Sequence, residues 1–496
     1  MNSQGHRDRG AGSSRRADEP GVRPGGRATP GGRGHGGSQV GGGRAVADPR
    51  IPAAVTELMV TLHDRGHAAY VVGGSLRDAL LGRRPADWDL ATDARPERIQ
   101  ALFPRSIYEN RFGTVVVRHR ASQYEITTFR RDVSYSDHRH PDEVLFGDSI
   151  EEDLARRDFT VNAIAWGGLP GGAEAVVDPY EGRLDLERRL LRAVGEADLR
   201  FREDALRMLR AVRLSTTLGF EVEASTLEAI ARNAGLAAAL SGERVFAELV
   251  KLLAGRRPSP GLRMLERTGL LAAVAPEMAA QRGVGQNKIS GEDLWDHTVR
   301  TVDAAPNRQL VRLAALLHDM GKPTSAADGH FLGHETVGAA MARDCLARLH
   351  APRPLQEQVA HLVANHMFSY EPAWSDAAVR RFMRKVGPSA VGDLLALRGA
   401  DNVGSGLARD AGHLAELRAR IDAELAANAP LGRSQLALDG DQLMARLGLV
   451  EGPRLGRLLD ALTERVIVEP ELNRQDVLLD LARQWISDAA VEDNSA

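Results

Sequence analysis

Val71-Val72-Gly73-Gly74-Ser75-Leu76-Arg77-Asp78, followed thirteen residues after the second glycine by Asp87-Trp88-Asp89-Leu90, decides how the chain is read. The apolar run Ala68–Val72 is strand-like and a glycine pair stops it, while Ser75 to Leu81 has helical spacing. Glycines between a strand and a helix let the backbone approach a phosphate, and a helix N-terminus favours negative charge. A purely structural glycine pair reads the same way, and the third glycine of a dinucleotide-binding fingerprint is missing. Asp87 and Asp89 sharpen the reading. On an extended segment residues i and i+2 face one way, so the two carboxylates share a face. They repel unless a cation sits between them, and Mg²⁺ takes oxygen ligands while keeping substrate phosphates in its shell. Two such ions align an attacking hydroxyl with a leaving pyrophosphate.

Outward from this stretch, Ile51 to Gly66 is predicted to be an amphipathic helix, and Thr114–Val117 and Tyr124–Phe129 are predicted strands. Arg130 to Ser149 is polar and is predicted to be a mobile loop. Residues 49–180 therefore form a mixed α/β head. Beyond Pro179 strand signals fade and helical spacing takes over, giving an all-helical remainder broken near Pro258, Pro260 and Pro306. Ser225 and Glu228 make a capping-box pattern ahead of a long helix. Residues 1–48 stand apart, with 14 Gly and 8 Arg from Met1 to Ala45 and little that is apolar. Such a segment cannot offset its ordering entropy and is predicted to be a disordered tail.

Composition bounds the function. The 496 residues carry 64 Lys plus Arg against 67 Asp plus Glu, a net charge of −3, so a globally basic nucleic-acid coat is excluded and a local basic groove is not. Only Lys251, Lys288, Lys322 and Lys385 are lysines; the other basic residues are arginines, whose fork holds phosphate bidentately. Cys345 is the sole cysteine, which rules out an internal disulfide and a cysteine-based zinc site. No run of 18 apolar residues suggests a spanning helix. No membrane partner and no obligate protein partner is expected, and the cytoplasm is the expected compartment.

Gly73–Gly82 with Asp87–Thr92 resembles the first signature of the class II tRNA nucleotidyltransferase and poly(A) polymerase family. Arg156-Arg157-Asp158-Phe159-Thr160-Val161-Asn162-Ala163 resembles the second, Asp178-Pro179-Tyr180-Glu181-Gly182-Arg183 the third, and the stretch from Glu203 to Arg213 the fourth. The resemblance implies an α+β architecture: a polymerase-beta-type nucleotidyltransferase head, a helical neck (181–256), a helical body (257–425) and a helical tail (426–496). It implies template-independent addition of CMP and AMP, from CTP and ATP, to tRNA 3′ ends, with Mg²⁺ at the head. Poly(A) polymerase shares these motifs and is the alternative. Asp87 and Asp89 are the implied catalytic metal ligands, with Glu125 as a third carboxylate. Gly74, Arg77 and Arg157 are the implied nucleotide contacts, with Asp158 and Asn162 ordering the site; Arg156 is either a ligand or an ion-pair partner. A 130–149 loop accompanies family members that add A.

Asp204, Arg207, Arg210 and Arg213 step by three and are predicted to crowd one side of a helix. They are either a solvated basic face or a base-selecting pocket. Asp accepts from an exocyclic amino group and Arg donates to a ring acceptor, a pattern cytosine and adenine share and uracil and guanine reverse. An Asp204–Arg207 pair then selects C and A without a template, and Arg210 and Arg213 face phosphates or brace the pair.

Seven of the 15 histidines fall between His297 and His366. His318-Asp319, with distant His297 and Asp401, resembles the HD phosphohydrolase domain, which implies a divalent transition metal and phosphoester hydrolysis, on the family's precedent of a 2′,3′-cyclic phosphate. A buried hydrogen-bonded relic is the alternative, as is a metal phosphohydrolase regulated by a nucleotide-sensing head. His334, His361 and His366 are candidates for a second metal or a phosphate contact.

Overall fold

The computed structural model describes residues 49–108, 113–132, 144–147, 149–286, 288–326 and 330–493. The predicted tail 1–48, and most of the predicted 130–149 loop, lie outside them. Among the described residues no helix is long and apolar enough to cross a membrane.

The head opens with α1 (Ala53–His63), β1 (Ala69–Val72) and α2 (Gly73–Leu80). β2 (Asp89–Thr92) and α3 (Pro96–Leu102) follow, then β3 (Ser106–Tyr108), β4 (Thr114–His119) and β5 (Ser122–Thr128). These strands join the later β8 and β9 in a seven-stranded sheet of order β3-β4-β5-β2-β1-β8-β9. β6 (Arg130–Asp132) pairs with β7 (Val144–Phe146) as a separate antiparallel ribbon. The ends of the predicted loop are thus strand. α4 (Ile150–Ala155) leads to β8 (Ala165–Gly168) and β9 (Ala175–Val177). β1 is buried along its whole length because the sheet is covered on both sides. Val71, Leu90 and Ile126 pack with α1 and α2 on one side; Tyr70, Ala91 and Phe129 pack with Ile150 and Leu154 on the other.

After β9 the chain is helical apart from a two-residue parallel pair, β10 (Leu190–Leu191) with β11 (Glu221–Val222). α5 spans Gly182–Arg188, α6 Ala197–Glu203, α7 Leu206–Leu218, α8 Ala224–Asn233, α9 Gly242–Leu253 and α10 Ser259–Arg267. Two sequence expectations are corrected here. The cap of α8 is Glu223, whose carboxylate accepts from the Thr226 N–H at 3.1 Å; Ser225 only donates to that carboxylate. Pro258 and Pro260 start α10 rather than break a helix, since Pro suits a first turn whose N–H groups have no intrahelical partner. One apolar cluster runs from the head's α1 through α7 to helices as far as residue 421. Another, from Leu436 to Ile486, is separate and holds the last helices together.

Candidate active site and a buried histidine cluster

β1 delivers the chain to Gly73, whose φ of +74° is a left-handed conformation that disfavours a side chain. A Cβ there would lie 2.9 Å from Arg157 Nη1 and 3.6 Å from Asp89 Oδ2, so the bare backbone lets both groups close in. Asp89 stands opposite Val72 on β1 and opposite Glu125 on β5. Its N–H donates to Ser75 Oγ at 3.3 Å, and Ser75 Oγ donates to Val72 O at 2.9 Å, which pins the first turn of α2 to β2. Asp87 lies in the bend before β2, not on the strand, and is exposed. The two acids still converge. Burial, then the charges of Asp87 and Glu125, push the Asp89 carboxyl up to about 6 against the pull of Arg157. Three carboxylates on hard oxygen donors with too little positive charge between them fit a divalent cation of the Mg²⁺ type.

A chain of polar contacts ties this corner to the neck. Arg77 Nε donates to Asp78 Oδ1 at 2.9 Å, and Arg77 Nη1 donates to Asn162 Oδ1 at 2.7 Å. Asn162 Nδ2 donates to Asp158 Oδ1 at 3.0 Å, and Arg210 on α7 holds Asp158 Oδ2 at 2.6 Å. Burial alone would raise the Asp158 carboxyl, but Arg210, Asn162 and Arg207 hold it far below the usual range. Arg156 and Arg157 both pair with Asp153, at 2.6 and 3.0 Å. Gly74 leaves room for its own helix's Arg77, whose Nη2 would meet a Cβ at 3.5 Å.

The expected four-residue face on one helix is not formed. α6 ends at Glu203, and Asp204 is extended at φ −146°, because α7 begins only at Leu206. Asp204 and Arg207 are not side-chain partners. Asp204 accepts from the Leu206 N–H at 3.0 Å and pairs with Arg244 on α9 at 2.7 Å. Arg207 pairs with Glu203 at 2.7 Å and donates to Arg156 O at 2.9 Å. Arg213 pairs with Glu248 at 2.6 Å. Arg244 and Glu248, four apart on α9, thus hold Asp204 and Arg213. Sequence reading missed them, and their i, i+4 spacing was the only local signal. Arg244 Nη1 is buried without a partner.

In the helical body, His297 comes from helix Leu294–Ala304 and His318-Asp319 from the end of helix Gln309–Leu317. His334 begins helix His334–Arg348, His366 ends helix Arg353–Asn365, and Asp401 lies within helix Pro388–Gly404. His297, His318 and Asp319 form one buried triad with metal-ligand spacing; Asp319, His334 and His366 form a second that shares Asp319. Asp319 Oδ2 is 3.3 Å from His297 Nε2 and 3.1 Å from His318 Nε2, and Oδ1 is 3.3 and 3.5 Å from His334 and His366 Nε2. Asp401 Oδ1 is 3.3 Å from His297 Nε2, while Asp393 pairs with Arg308 instead. His318, His334 and His366 each place Nδ1 on a backbone carbonyl at 2.7 to 2.8 Å, which turns Nε2 inward. The inward Nε2 atoms of His334 and His366 are buried without hydrogen-bond partners, and this donor set fits a divalent transition metal. His361 is not part of the cluster; its Nε2 lies 2.6 Å from Val386 O. Lys322, given no role in the sequence reading, pairs with Asp319 at 2.6 Å.

Residues 69–192 match the Poly A polymerase head domain, 219–282 the Probable RNA and SrmB-binding site of polymerase A, and 274–404 the HD domain. The CCA-adding enzyme of Lactiplantibacillus plantarum is 33% identical over 444 residues, which cover 87% of this chain and 95% of that one. This chain belongs to the CCA-adding tRNA nucleotidyltransferase family. The CC-adding tRNA nucleotidyltransferase of Thermus thermophilus is 38% identical over 80% of this chain and 89% of its own. CCA-adding enzymes of Geobacillus reach 49–50% identity, but the chain spans only about half of their length. The Bacillus stearothermophilus CCA-adding enzyme, solved in complex with CTP, superposes with a TM-score of 0.67 at 31% identity. It covers 89% of this chain and 98% of that one. The family's head-then-helices architecture is the one seen here.

Proposed function

We propose that the chain adds CMP and AMP to the 3′ end of tRNA, building or repairing CCA and releasing pyrophosphate. The observation that carries this reading is the convergence of Asp87, Asp89 and Glu125 on the Gly73-Gly74 turn, tied through Arg77, Asn162, Asp158 and Arg210 to the neck that carries Asp204. Asp87, Asp89 and Glu125 would hold Mg²⁺, which supplies Lewis-acid polarisation of the α-phosphate and activation of the 3′-hydroxyl. The open backbone at Gly73-Gly74 admits the triphosphate, and Arg77 and Arg157 balance its charge. Asp204, fixed by Arg244, accepts from the amino group common to cytosine and adenine, and Arg207 donates to the neighbouring ring acceptor. The terminal hydroxyl then attacks the α-phosphorus, and the bond to the bridging oxygen of the leaving pyrophosphate breaks.

A second activity is favoured by the two histidine triads that share Asp319. His297, His318, Asp319 and Asp401, with His334 and His366, would hold one or two divalent transition metals for phosphoester hydrolysis. The head, neck, body and tail boundaries expected from sequence belong to the same reading, as does a cytoplasmic place of work beside tRNA.

The test is CTP and ATP incorporation into tRNA lacking CCA, with the products sequenced at the 3′ end. CCA ends are expected; ends that stop at CC would assign the chain to the CC-adding relatives. Repeated A addition to unstructured RNA, with no CTP incorporated into the tRNA, would replace this reading by poly(A) polymerase.

A further inference from the structure

The cavity that opens on the histidine cluster has a volume of about 510 Å³, the scale of a pocket for one small molecule. Its wall carries Lys288, Lys322 and Arg398 beside Asp319 and Asp401. Lys322 Nζ is 2.6 Å from Asp319 Oδ2 and donates to Gln286 Oε1 at 3.1 Å. Lys288 Nζ is 3.7 Å from Asp401 Oδ1, and Arg398 Nη1 donates to Asp401 Oδ2 at 2.9 Å. Three cations thus share two carboxylates. Burial lowers the Lys288 ammonium, and the charges of Lys322 and Arg398 push the same way against Asp401 and Asp319. With Asp319 and Asp401 committed to a metal, all three cations would lose their partners. This wall is short of an anion, as the head's carboxylates are short of a cation. Lysine is also scarce: of the four in the chain, two are here, while Lys251 and Lys385 are exposed. An ammonium is a compact point charge and suits a crowded wall better than a planar fork does.

The mouth has the opposite character. Leu332, Met367 and Leu407 line the same cavity and are 88%, 54% and 56% exposed. They come from three separate segments: before helix His334–Arg348, after helix Arg353–Asn365 and after helix Pro388–Gly404. Phe331 also lines the cavity, with its ring centroid 5.6 Å from Lys322 Nζ. Apolar side chains grouped in water around a charged pocket mark a surface that a ligand covers. A phosphate on the cations and a flat base across the rim satisfy both parts. A polynucleotide does not, since its next phosphate would leave the cations and meet leucine.

We propose that this cavity binds a single free nucleoside monophosphate, with Lys288, Lys322 and Arg398 holding the phosphate and Leu332, Met367 and Leu407 the base. The inference rests on the phosphoester reading of the same cavity and adds which ligand it takes and which residues hold it. The cations belong to the chain, so binding does not require the metal. Contact with leucine and a pliable methionine is indifferent to base identity. The site therefore takes bases that the Asp204 and Arg207 pattern rejects.

The experiment uses the full chain, stripped of metal by a chelator, with guanosine 3′-monophosphate and inorganic phosphate as probes in calorimetric titrations. Guanine reverses the pattern that Asp204 and Arg207 read, which keeps this probe out of the head. Wild type should bind one guanosine monophosphate per chain, and inorganic phosphate should compete with it. Lys288→Gln/Arg398→Gln should raise the Kd for both probes at least about tenfold, the scale of lost charge-assisted contacts. Leu332→Ser/Met367→Ser should raise the Kd for the nucleotide about three- to tenfold and leave that for phosphate within about twofold, since only apolar contact is lost. Matching thermal melts show that the variants fold. Lys288→Gln alone, at a side chain that is 33% exposed, replaces the double variant if that one does not fold, and should weaken both probes at least about threefold. Unchanged affinity for both probes in the folded cation variant overturns the proposal. So does a nucleotide that binds no tighter than inorganic phosphate, because the base would then contribute nothing. A guanosine trinucleotide that displaces the monophosphate with higher affinity also overturns it, because the ligand would be RNA. Metal-loaded wild type that binds guanosine monophosphate and releases no phosphate from it would instead overturn the hydrolytic reading, so the two failures are distinguishable.

Discussion

In the head, the Asp89 carboxyl is pushed up to about 6 by burial and by the charges of Asp87 and Glu125, against the pull of Arg157. In the helical body, Asp319 is more deeply buried, yet it is held well below the usual carboxylate range. The charge of His318, then the close approach of the His297, His318 and His334 imidazoles, outweigh its burial. Lys322 adds a cation at 2.6 Å. The first cluster is thus left short of positive charge and is completed by what arrives with the nucleotide. The second carries its own partners, His297, His318, His334 and Lys322 among them. A site that must admit and release a triphosphate at every turnover suits the former arrangement; a resident metal suits the latter.

The largest expected effect comes from the unmatched cluster. Asp89→Asn removes one ligand while keeping the side-chain shape, and should lower kcat for CMP addition by about 10²–10³-fold, roughly 3 to 4 kcal/mol, the scale of a lost preorganised electrostatic group. Because the variant also removes a repelling charge, its melting temperature without Mg²⁺ should equal or exceed that of the wild type. Single-turnover incorporation and a thermal melt check the two halves. Activity within tenfold of wild type would show that the carboxylates do not carry the reaction.

The head also contains a matched acid, which sharpens the contrast. Asp153 is fully buried, which by itself raises its carboxyl, but Arg156 and Arg157 bring it down from 3.8 to about 2. A carboxyl depressed on folding contributes stability that is complete above its unfolded pKa and is lost as pH falls through the folded one. About 2 kcal/mol should therefore disappear between about pH 4 and pH 2. Urea unfolding across that window, compared with Asp153→Asn, measures it. The variant starts less stable and should lose about 2 kcal/mol less over the same interval. Equal slopes for the two proteins would mean that the two arginines do not shield this acid.

Much of the head was legible because its signals are local. The Gly73-Gly74 stop, the strand alternation and the Asp-x-Asp spacing sit within 17 residues, and β2 and β5 formed near where periodicity put them. His318-Asp319 was legible for the same reason. What stayed hidden were partners set by tertiary packing. Nothing near Asp204 announces Arg244, 40 residues on, and nothing near Arg213 announces Glu248, 35 residues on. The three-residue steps from Asp204 suggested one helical face, but spacing cannot reveal a break between α6 and α7. His361 was grouped with His334 and His366 by proximity in sequence, while its helix turns it toward Val386. Asp87 falls outside the strand yet still acts on Asp89, because charge acts through space and needs no hydrogen-bonded register.

The smallest expected effect tests whether the two clusters are separate machines. His318 and Asp319 belong to the helical body, and the described contacts of their side chains are with His297, Lys322, His334, His366, Asp401 and local backbone. None of these residues is among those assigned to nucleotide addition. His318→Ala with Asp319→Ala should therefore leave CMP and AMP addition within about twofold, while removing metal from both triads, since Asp319 is common to them. Loss of a buried acid beside Lys322 can weaken the fold, as removing one partner of a buried pair leaves the other charge uncompensated. His334→Asn, which strips only the second triad, is the milder companion. Metal content per chain and CCA addition on truncated tRNA are then read on the same preparations. A metal-depleted protein with intact addition keeps the sites independent. A large loss of addition in the well-folded His334→Asn variant would mean that the body's metal centre acts on the head, and that the contrast between the two clusters is one of division of labour within a single reaction.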